Sequence, residues 1–109
     1  MMEPNKFFFG DGEHAFAFDL ATIETLERET DTGVPALVRG FLGSDYRATD
    51  LKNTIRLGLI GGGMDPEAAA KLVENYFLAH GLERCRIIAA LALSALFGPS
   101  DEGDEEMAI

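Results

Sequence analysis

The sequence predicts an α+β fold, in which an N-terminal β-hairpin is followed by about five helices packed as a small bundle. Near the N-terminus, a Gly-Asp-Gly turn signal separates two short apolar segments rich in phenylalanine. From residue 20 onward, apolar residues recur every three or four positions, the spacing that places them on one face of a helix. The first pattern indicates two short strands joined by a turn, and the second indicates helices. Together they predict the fold class.

The hairpin is predicted from residues 7–9 and 15–18, which flank the sequence GDGE. An Asp-Gly pair at this place favours a type I′ turn, because glycine adopts the positive φ that such a turn requires. In the second strand, alternation puts Phe16 and Phe18 on one face, where burial would contribute roughly 1.5–3 kcal/mol for each ring. An isolated hairpin is only marginally stable, so this face is expected to pack against the helices.

The first helix is predicted over residues 20–31. Either Asp19 or Thr22 is expected to cap its start, since both side chains accept hydrogen bonds from free backbone N–H groups. Gly33 is expected to end it in the left-handed conformation. Its predicted apolar face comprises Leu20, Ile23 and Leu26.

Four further helices are predicted from proline, capping and apolar signals. The second opens at Pro35, and the third starts at Thr49 or Asp50. The fourth follows Asp65 and has the clearest helical period, whereas the fifth covers residues 82–97. The apolar stripe of the fourth helix comprises Ala69, Leu72, Val73, Tyr76 and Phe77.

The segment IGGGMDPEAA, residues 60–69, raises the question of a phosphate-binding loop. A P-loop carries Lys and Ser or Thr after its last glycine and follows a buried strand. Here Met64 follows the glycines, and Asp65 would place a carboxylate where a phosphate would bind. We therefore predict that Gly61 ends one helix and Asp65 caps the next, and we expect Gly62→Ala to have only a local cost.

No residue pattern predicts catalysis, a cofactor or a metal. His14 and His80 lie in separate elements without the spacing of a ligand pair, and His80 is interpreted as a residue compatible with a helix C-terminus. Cys85 is interpreted as a small buried side chain rather than an activated thiol, although Arg84 and Arg86 flank it. The acidic face of the first helix lacks the apolar surroundings that raise the pKa of a catalytic carboxyl group. The protein is therefore expected not to be an enzyme.

The net charge and the length of the apolar runs indicate which classes of partner are expected. Nine basic and nineteen acidic residues give a net charge of −10, and five of the acids lie in the last nine residues. Such a chain repels phosphate groups, so neither nucleic acid nor a membrane is an expected partner. The longest apolar run is far shorter than the ~20 residues that span a bilayer, and no signal peptide is recognised. We predict one α+β domain over residues 1–98 and a disordered acidic tail over residues 99–109, in a cytoplasmic protein.

The fifth predicted helix has no polar stripe, since only Ser94 is polar from Ile87 onward. A helix that is apolar all round either lies in the core or shares a face with a partner. We therefore expect its large side chains to divide between the core and a partner-binding surface. These candidate residues are Ile87, Ile88, Leu91, Leu93, Leu96 and Phe97.

Four segments follow one another in an order that resembles a known family. They are FFFGDGEHAFAFD, ETLERETDTGV, IRLGLIGGGMDPEAAAKLVENYF and IIAALALSALFGP, the last of which precedes acidic residues. Together they resemble the small tail-assembly family of gene transfer agents and long-tailed phages, labelled tail tube proteins or tail assembly chaperones. The resemblance extends over residues 6–99, and its most distinctive parts are the L-G-L-x-G-G-G step and the apolar helix that ends in F-G-P.

The resemblance implies a small non-enzymatic protein without a cofactor, which acts as an assembly chaperone in the bacterial cytoplasm. Its implied partners are the tape measure protein, whose apolar helices it would keep soluble, and the major tail tube protein, whose subunits it would recruit. A structural role in the tail is less favoured, because a tube subunit usually needs a larger sheet than one hairpin. A small acidic helical adaptor unrelated to tails remains an alternative hypothesis, and homo-oligomerisation is left open.

Overall fold

The computed structural model describes residues 5–97 and confirms the predicted fold class: one antiparallel hairpin followed by five α-helices. The elements are β1 (Asn5–Phe9), β2 (Gly12–Phe16), α1 (Leu20–Thr30), α2 (Val34–Gly43), α3 (Ala48–Gly61), α4 (Pro66–His80) and α5 (Leu82–Ser94), with a 3-10 turn at Ala95–Phe97. None of the helices in this range has the length and apolar character to cross a bilayer. The predicted acidic tail, residues 99–109, lies outside the described residues.

The hairpin forms as expected, but its turn differs from the prediction. Phe9 pairs with Gly12, so the loop consists of Gly10 and Asp11. Gly10 has a φ of +71°, whereas Asp11 does not have a positive φ. A type I′ turn needs positive φ at both positions, so that prediction is wrong; positive φ at the first position is a feature of type II′. Phe18, predicted to lie on the second strand, lies beyond the end of β2.

The hairpin and the helices share one apolar core. Phe9 and Phe16 lie on the inner face of the hairpin and are almost fully buried. α3 is the central helix, because it contacts α1, α4, α5 and β2. Its Leu51, Ile55 and Leu59 are all buried beneath these neighbours. The burial that stabilises the hairpin is therefore supplied largely by helices that follow it much later in the chain.

α1 begins as predicted but ends differently. The Asp19 side chain accepts a hydrogen bond from the Thr22 N–H at 2.9 Å, and the Thr22 hydroxyl accepts one from the Asp19 N–H at 2.9 Å. Both candidates therefore act together in a capping box. The residue in the left-handed conformation at the helix end is Asp31, not Gly33, because the short polar side chain of Asp tolerates a φ of +54°. Leu20 is exposed, so its predicted place on the apolar face is also wrong.

Polar side chains hold the two turns around α2. A Glu27 carboxylate oxygen accepts a hydrogen bond from the Val34 N–H at 2.8 Å, which fixes the start of α2 on the end of α1. α3 begins earlier than predicted, with Arg47 at the N-cap position. The Arg47 guanidinium donates to both carboxylate oxygens of the buried Asp50, at 2.9 and 3.0 Å, and to the Thr30 carbonyl oxygen at 2.9 Å. This bidentate pair links the end of α1 to the start of α3.

α4 follows its prediction closely. One carboxylate oxygen of Asp65 accepts hydrogen bonds from the N–H groups of Glu67 and Ala68, each at 3.1 Å, and Pro66 is the first helical residue. The buried positions on its predicted stripe are Ala69, Val73 and Phe77, and the partly buried ones are Leu72 and Tyr76. Regular capping and a clear helical period therefore make α4 the most predictable element of the chain.

The glycines at the end of α3 allow its backbone to contact the hairpin. α3 ends at Gly61, as predicted. A Cβ atom at Gly61 would lie 1.9 Å from the Ala17 carbonyl oxygen, and one at Gly62 would lie 2.1 Å from the Ala15 carbonyl oxygen. The Gly58 carbonyl oxygen also accepts a hydrogen bond from the Ala17 N–H at 3.0 Å. These backbone neighbours leave no room for a side chain, which contradicts the expectation of a merely local cost for Gly62→Ala.

His80 joins the end of α4 to the hairpin turn. Its Nε2 accepts a hydrogen bond from the Gly10 N–H at 2.7 Å, and its ring stacks on Phe9 with centroids 4.8 Å apart. Burial, and to a smaller extent the positive charge of Arg84, lower the pKa of His80. The neutral imidazole is therefore the form that the fold requires.

We expect Gly62→Ala to lower the free energy of unfolding by about 1–3 kcal/mol, the usual cost of forcing an extra group into a well-packed site. Chemical denaturation of the purified protein measures this value. Gly43→Ala is the matched control, because Gly43 ends α2 with no atom near its Cβ position, so alanine there is neutral or slightly stabilising. Equal stability of the two variants would contradict the close contact between α3 and β2.

We expect the free energy of unfolding to fall as the pH decreases, because protonation of His80 disfavours the folded state. The folded-state pKa lies below the ordinary value of 6.5, so the unfolded chain binds more protons between the two pKa values. The contribution of His80 is complete above pH 6.5 and is lost as the pH falls through the folded-state pKa.

Thermal unfolding of the wild type, His80→Gln and His14→Gln between pH 7 and pH 5 tests this expectation. Glutamine at position 80 offers an acceptor oxygen to the Gly10 N–H but does not titrate, so the pH dependence should become shallower. His14 is the control, because its ring pairs with Asp11 rather than with the hairpin backbone. Parallel curves for the wild type and His80→Gln would contradict the proposed role.

Candidate partner-binding surface

α5 divides its large apolar side chains between the core and the surface. It packs against α2, α3 and α4, with Ile88 and Leu93 buried and Leu96 partly buried beyond its end. The exposed fractions are 45% for Ile87, 51% for Leu91 and 53% for Phe97. Ile88 and Leu93 therefore belong to the core, whereas the exposed residues present apolar surface on which a partner could bind.

The division follows from the helical period and from residue size. Ile87 and Leu91 are one turn apart and lie on the outer side of α5. The inner side carries three buried alanines, Ala89, Ala90 and Ala92, which allow the neighbouring helices to approach closely. α5 thus has two distinct sides: the inner one carries small residues that pack closely, and the outer one carries large apolar residues.

Phe8 of β1 adds a second element to this surface. It is 52% exposed and lies on the opposite face of the strand from the buried Phe9. An open depression of about 270 Å³ is lined by Phe7, Phe8, Arg84, Ile87 and Ile88. Because Phe7 and Phe8 point to opposite faces, a depression that both of them line runs along the outer edge of β1. We call it the β1–α5 groove.

The β1–α5 groove continues toward the end of α4. A neighbouring depression is lined by Tyr76, Ala79 and His80, and it shares Phe8 and Arg84 with the first. Phe8 therefore stands at the boundary of two adjoining depressions. The hydrogen bond from Gly10 to His80 fixes the hairpin turn beside this part of the groove.

Arg84 is the charged group of the groove. Its side chain is exposed and forms no ion pair or side-chain hydrogen bond within residues 5–97. The next basic residue of α5 differs, since Arg86 donates to the Glu83 carboxylate and to the Phe41 carbonyl oxygen. Arg84 thus presents its full positive charge beside exposed apolar side chains.

The thiol of Cys85 lies on the buried side of α5, as predicted. Burial raises the pKa of this thiol to about 11, and the smaller effect of Arg84 opposes it. The Sγ atom lies 3.7 Å from the Phe77 carbonyl oxygen. A reactive nucleophile needs a lowered thiol pKa and solvent access, and Cys85 has neither.

The histidines and acids do not assemble into a metal site in the part of the chain that the structure describes. Within residues 5–97, no group of three or more His, Cys, Asp or Glu side chains is placed to hold a metal ion. His14 Nε2 lies 2.7 Å from an Asp11 carboxylate oxygen, whereas His80 contacts the backbone of the hairpin turn.

Among residues 5–97, the other large exposed apolar side chains lie at or near the ends of helices. They are Leu20, Leu42, Leu78 and Leu82. Scattered residues of this kind are normal on protein surfaces. Sequence reasoning did not single out Phe8 or Arg84 as surface residues. For Phe8, the alternation of a strand within the FFF run is the signal that could have identified it.

Residues 5–98 match the model of the family described as phage tail tube protein, GTA-gp10. The match includes both strands, all five helices and every residue that lines the β1–α5 groove. No curated protein and no solved structure matches the chain. The matched family is structural rather than enzymatic. Since the match covers nearly the whole sequence, the chain belongs to the GTA-gp10 family of phage tail tube proteins.

Proposed function

We propose that this tail protein acts as an assembly chaperone, which binds the tape measure protein and recruits major tail tube subunits in the bacterial cytoplasm. Family membership supports a role in the tail of a phage or gene transfer agent. The observation that carries the finer proposal is the β1–α5 groove, where Phe8 and Ile87 expose apolar surface beside Arg84.

The shape of the surface suits a helical partner. Ile87 and Leu91 are spaced by one turn, and Phe97 extends the same apolar character beyond the end of α5. A partner helix with apolar residues at i, i+3, i+4 and i+7 can lay one face along such a row. A tape measure protein with long apolar helices would offer such faces repeatedly, and covering them would prevent their aggregation.

The charge of the chain supports the same role. The protein carries a net charge of −10, although its proposed binding surface is apolar and carries Arg84. Excess negative charge away from the interface would keep a complex with an apolar partner soluble. Among residues 5–97, no carboxylate lines the groove, so a partner helix there would not meet a negative side chain in its lining.

A structural tail component is the second candidate, favoured by the description of the family. β1 is an edge strand of a two-stranded sheet in the part of the chain that the structure describes, and an edge can receive a strand from a neighbouring subunit. We favour the chaperone because a ring of tube subunits usually requires a larger sheet. The family match argues against the third hypothesis, an adaptor unrelated to tails.

Co-expression with the adjacent tape measure and major tail tube proteins tests the proposal. We expect the tagged chain to co-purify with one or both, as read by native mass spectrometry. A lone chain, with both partners soluble in its absence, would contradict the chaperone role. Stoichiometric presence of the chain in purified particles would support the structural role instead.

Ile87→Glu should weaken partner binding at least tenfold while the helical circular dichroism signal remains. Removing one large apolar side chain from an interface costs about 1.5–3 kcal/mol, and 1.4 kcal/mol corresponds to a factor of ten. Leu78→Glu is the matched control, since Leu78 is 79% exposed on α4 and does not line the groove. Loss of the fold by Ile87→Glu, or equal effects of both variants, would contradict this surface.

A further inference from the structure

We propose that His80 is a protonation-sensitive latch, which holds the hairpin turn on α4 while its imidazole is neutral and releases the turn when Nε2 binds a proton. The helices and the opposite end of the hairpin stay folded in the released form. This inference concerns the conformation of the chain itself, so it goes beyond the proposed function and does not rest on it. It is carried by the chemistry of one hydrogen bond, by the way the hairpin is attached, and by the charges around His80.

The hydrogen bond between Gly10 and His80 exists only while Nε2 is unprotonated. A backbone N–H is always a donor, so Nε2 must be the acceptor and the ring hydrogen must be on Nδ1. Protonation turns both ring nitrogens into donors, and two N–H groups would then face each other across 2.7 Å. Rotating the ring does not help, because neither nitrogen of the protonated ring can accept. Protonation and this contact therefore exclude each other.

The turn has no second polar attachment to α4. Within residues 5–97, the bond from Gly10 to His80 is the one hydrogen bond that joins the hairpin to α4. The other contacts are apolar, since the Phe9 ring stacks on His80 and the Gly10 backbone packs against Leu72 and Tyr76. Loss of this bond thus removes the only directional interaction that fixes the turn on α4.

The opposite end of the hairpin is attached to a different helix. The Ala17 N–H donates to the Gly58 carbonyl oxygen at 3.0 Å, and the Ala15 and Ala17 carbonyl oxygens lie against the glycines at the end of α3. Phe16 is almost fully buried in the shared core. These contacts involve α3 and not α4, so they can persist while the turn is released.

The surroundings of His80 disfavour a positive ring in the latched form. Burial, and to a smaller extent Arg84 of α5, lower the pKa of His80. Tyr76 of α4 lines the same depression and brings an uncharged phenol. Among residues 5–97, no carboxylate lines this depression. The His80 side chain is only partly buried, so a proton can reach it from the solvent.

The acids closest in sequence to the latch have other partners. Asp11 follows Gly10 in the turn, and its carboxylate lies 2.7 Å from His14 Nε2. Glu83 of α5 accepts hydrogen bonds from Arg86. Neither carboxylate compensates a positive charge on His80, so the released form binds the proton more readily.

Release of the turn changes the β1–α5 groove. The Phe8 ring lies 5.8 Å from the His80 ring between centroids, and both residues line the second depression. When the turn leaves α4, the side of the groove that β1 forms moves with it, and Phe9 becomes exposed. Because Phe9 is fully buried in the latched form, the released form is a minor state at neutral pH. Protonation of His80 raises its population.

Amide hydrogen exchange in the full-length chain, followed by NMR between pH 7 and pH 5, tests the latch. The Gly10 N–H reports on the turn, whereas the Ala17 N–H reports on the attachment to α3. Protection factors, which compare each rate with that of an unstructured chain at the same pH, remove the direct effect of pH on exchange. We expect the Gly10 factor to fall at least about threefold while that of Ala17 is unchanged; one bound proton allows at most about a tenfold change per pH unit.

Two variants locate the effect. His80→Gln keeps an acceptor for the Gly10 N–H but binds no proton, so the ratio of the Gly10 and Ala17 factors should become independent of pH. His14→Gln should keep the wild-type dependence, because His14 contacts Asp11 rather than the hairpin backbone.

Two results in the wild type would overturn the inference, whether or not the variants fold. An equal fall for Gly10 and Ala17 would mean that the hairpin opens as a whole. Gly10 protection that persists down to pH 5 would mean that the turn is not released. Co-purification with tail proteins at neutral pH does not depend on either result, so the two proposals can fail separately.

Discussion

The close contact between the backbone of α3 and the hairpin is the constraint on which the rest of the structure depends. A two-stranded hairpin alone is only marginally stable in water, and here it gains stability by lying directly on the central helix. Glycines at positions 61 and 62 permit this, because the carbonyl oxygens of Ala17 and Ala15 occupy the space of their missing side chains. The hydrogen bond from Ala17 to Gly58 completes the contact. What resembled a phosphate loop in the sequence is therefore a site of helix–strand packing.

The groove follows from that placement. Once β2 lies on α3, the turn reaches the end of α4, where His80 accepts the Gly10 N–H. With Phe9 held inward, strand alternation directs Phe8 outward, beside Ile87 of α5. The same arrangement leaves Arg84 at the boundary of both depressions without an ion pair inside residues 5–97. The surface proposed to bind partners is thus a consequence of how the core is built.

Local signals determined what the sequence could predict. The cap at Asp65, the proline after it and the apolar stripe of α4 all act within a few residues, and each was predicted correctly. Contacts between distant residues were not predictable: His80 and Gly10 are 70 positions apart, and a glycine run does not reveal which backbone approaches it. α5 shows the same limit, since an all-apolar helix does not reveal that Ile88 lies inside while Ile87 lies outside. The family resemblance, in contrast, depended on the order of whole segments, and the match over residues 5–98 agrees with it.

The groove is built from the two ends of the described chain, and this has a consequence for biosynthesis. Phe7 and Phe8 are translated before the five helices, whereas Arg84 and Ile87 lie in the last of these helices. Chains emerge N-terminus first at about 5–20 residues per second, so the hairpin spends several seconds without the helices that cover its phenylalanines. A nascent chain that lacks α5 has no groove. Recognition of a partner there is therefore restricted to chains in which α5 has been made, and translation products truncated before α5 carry no competing surface.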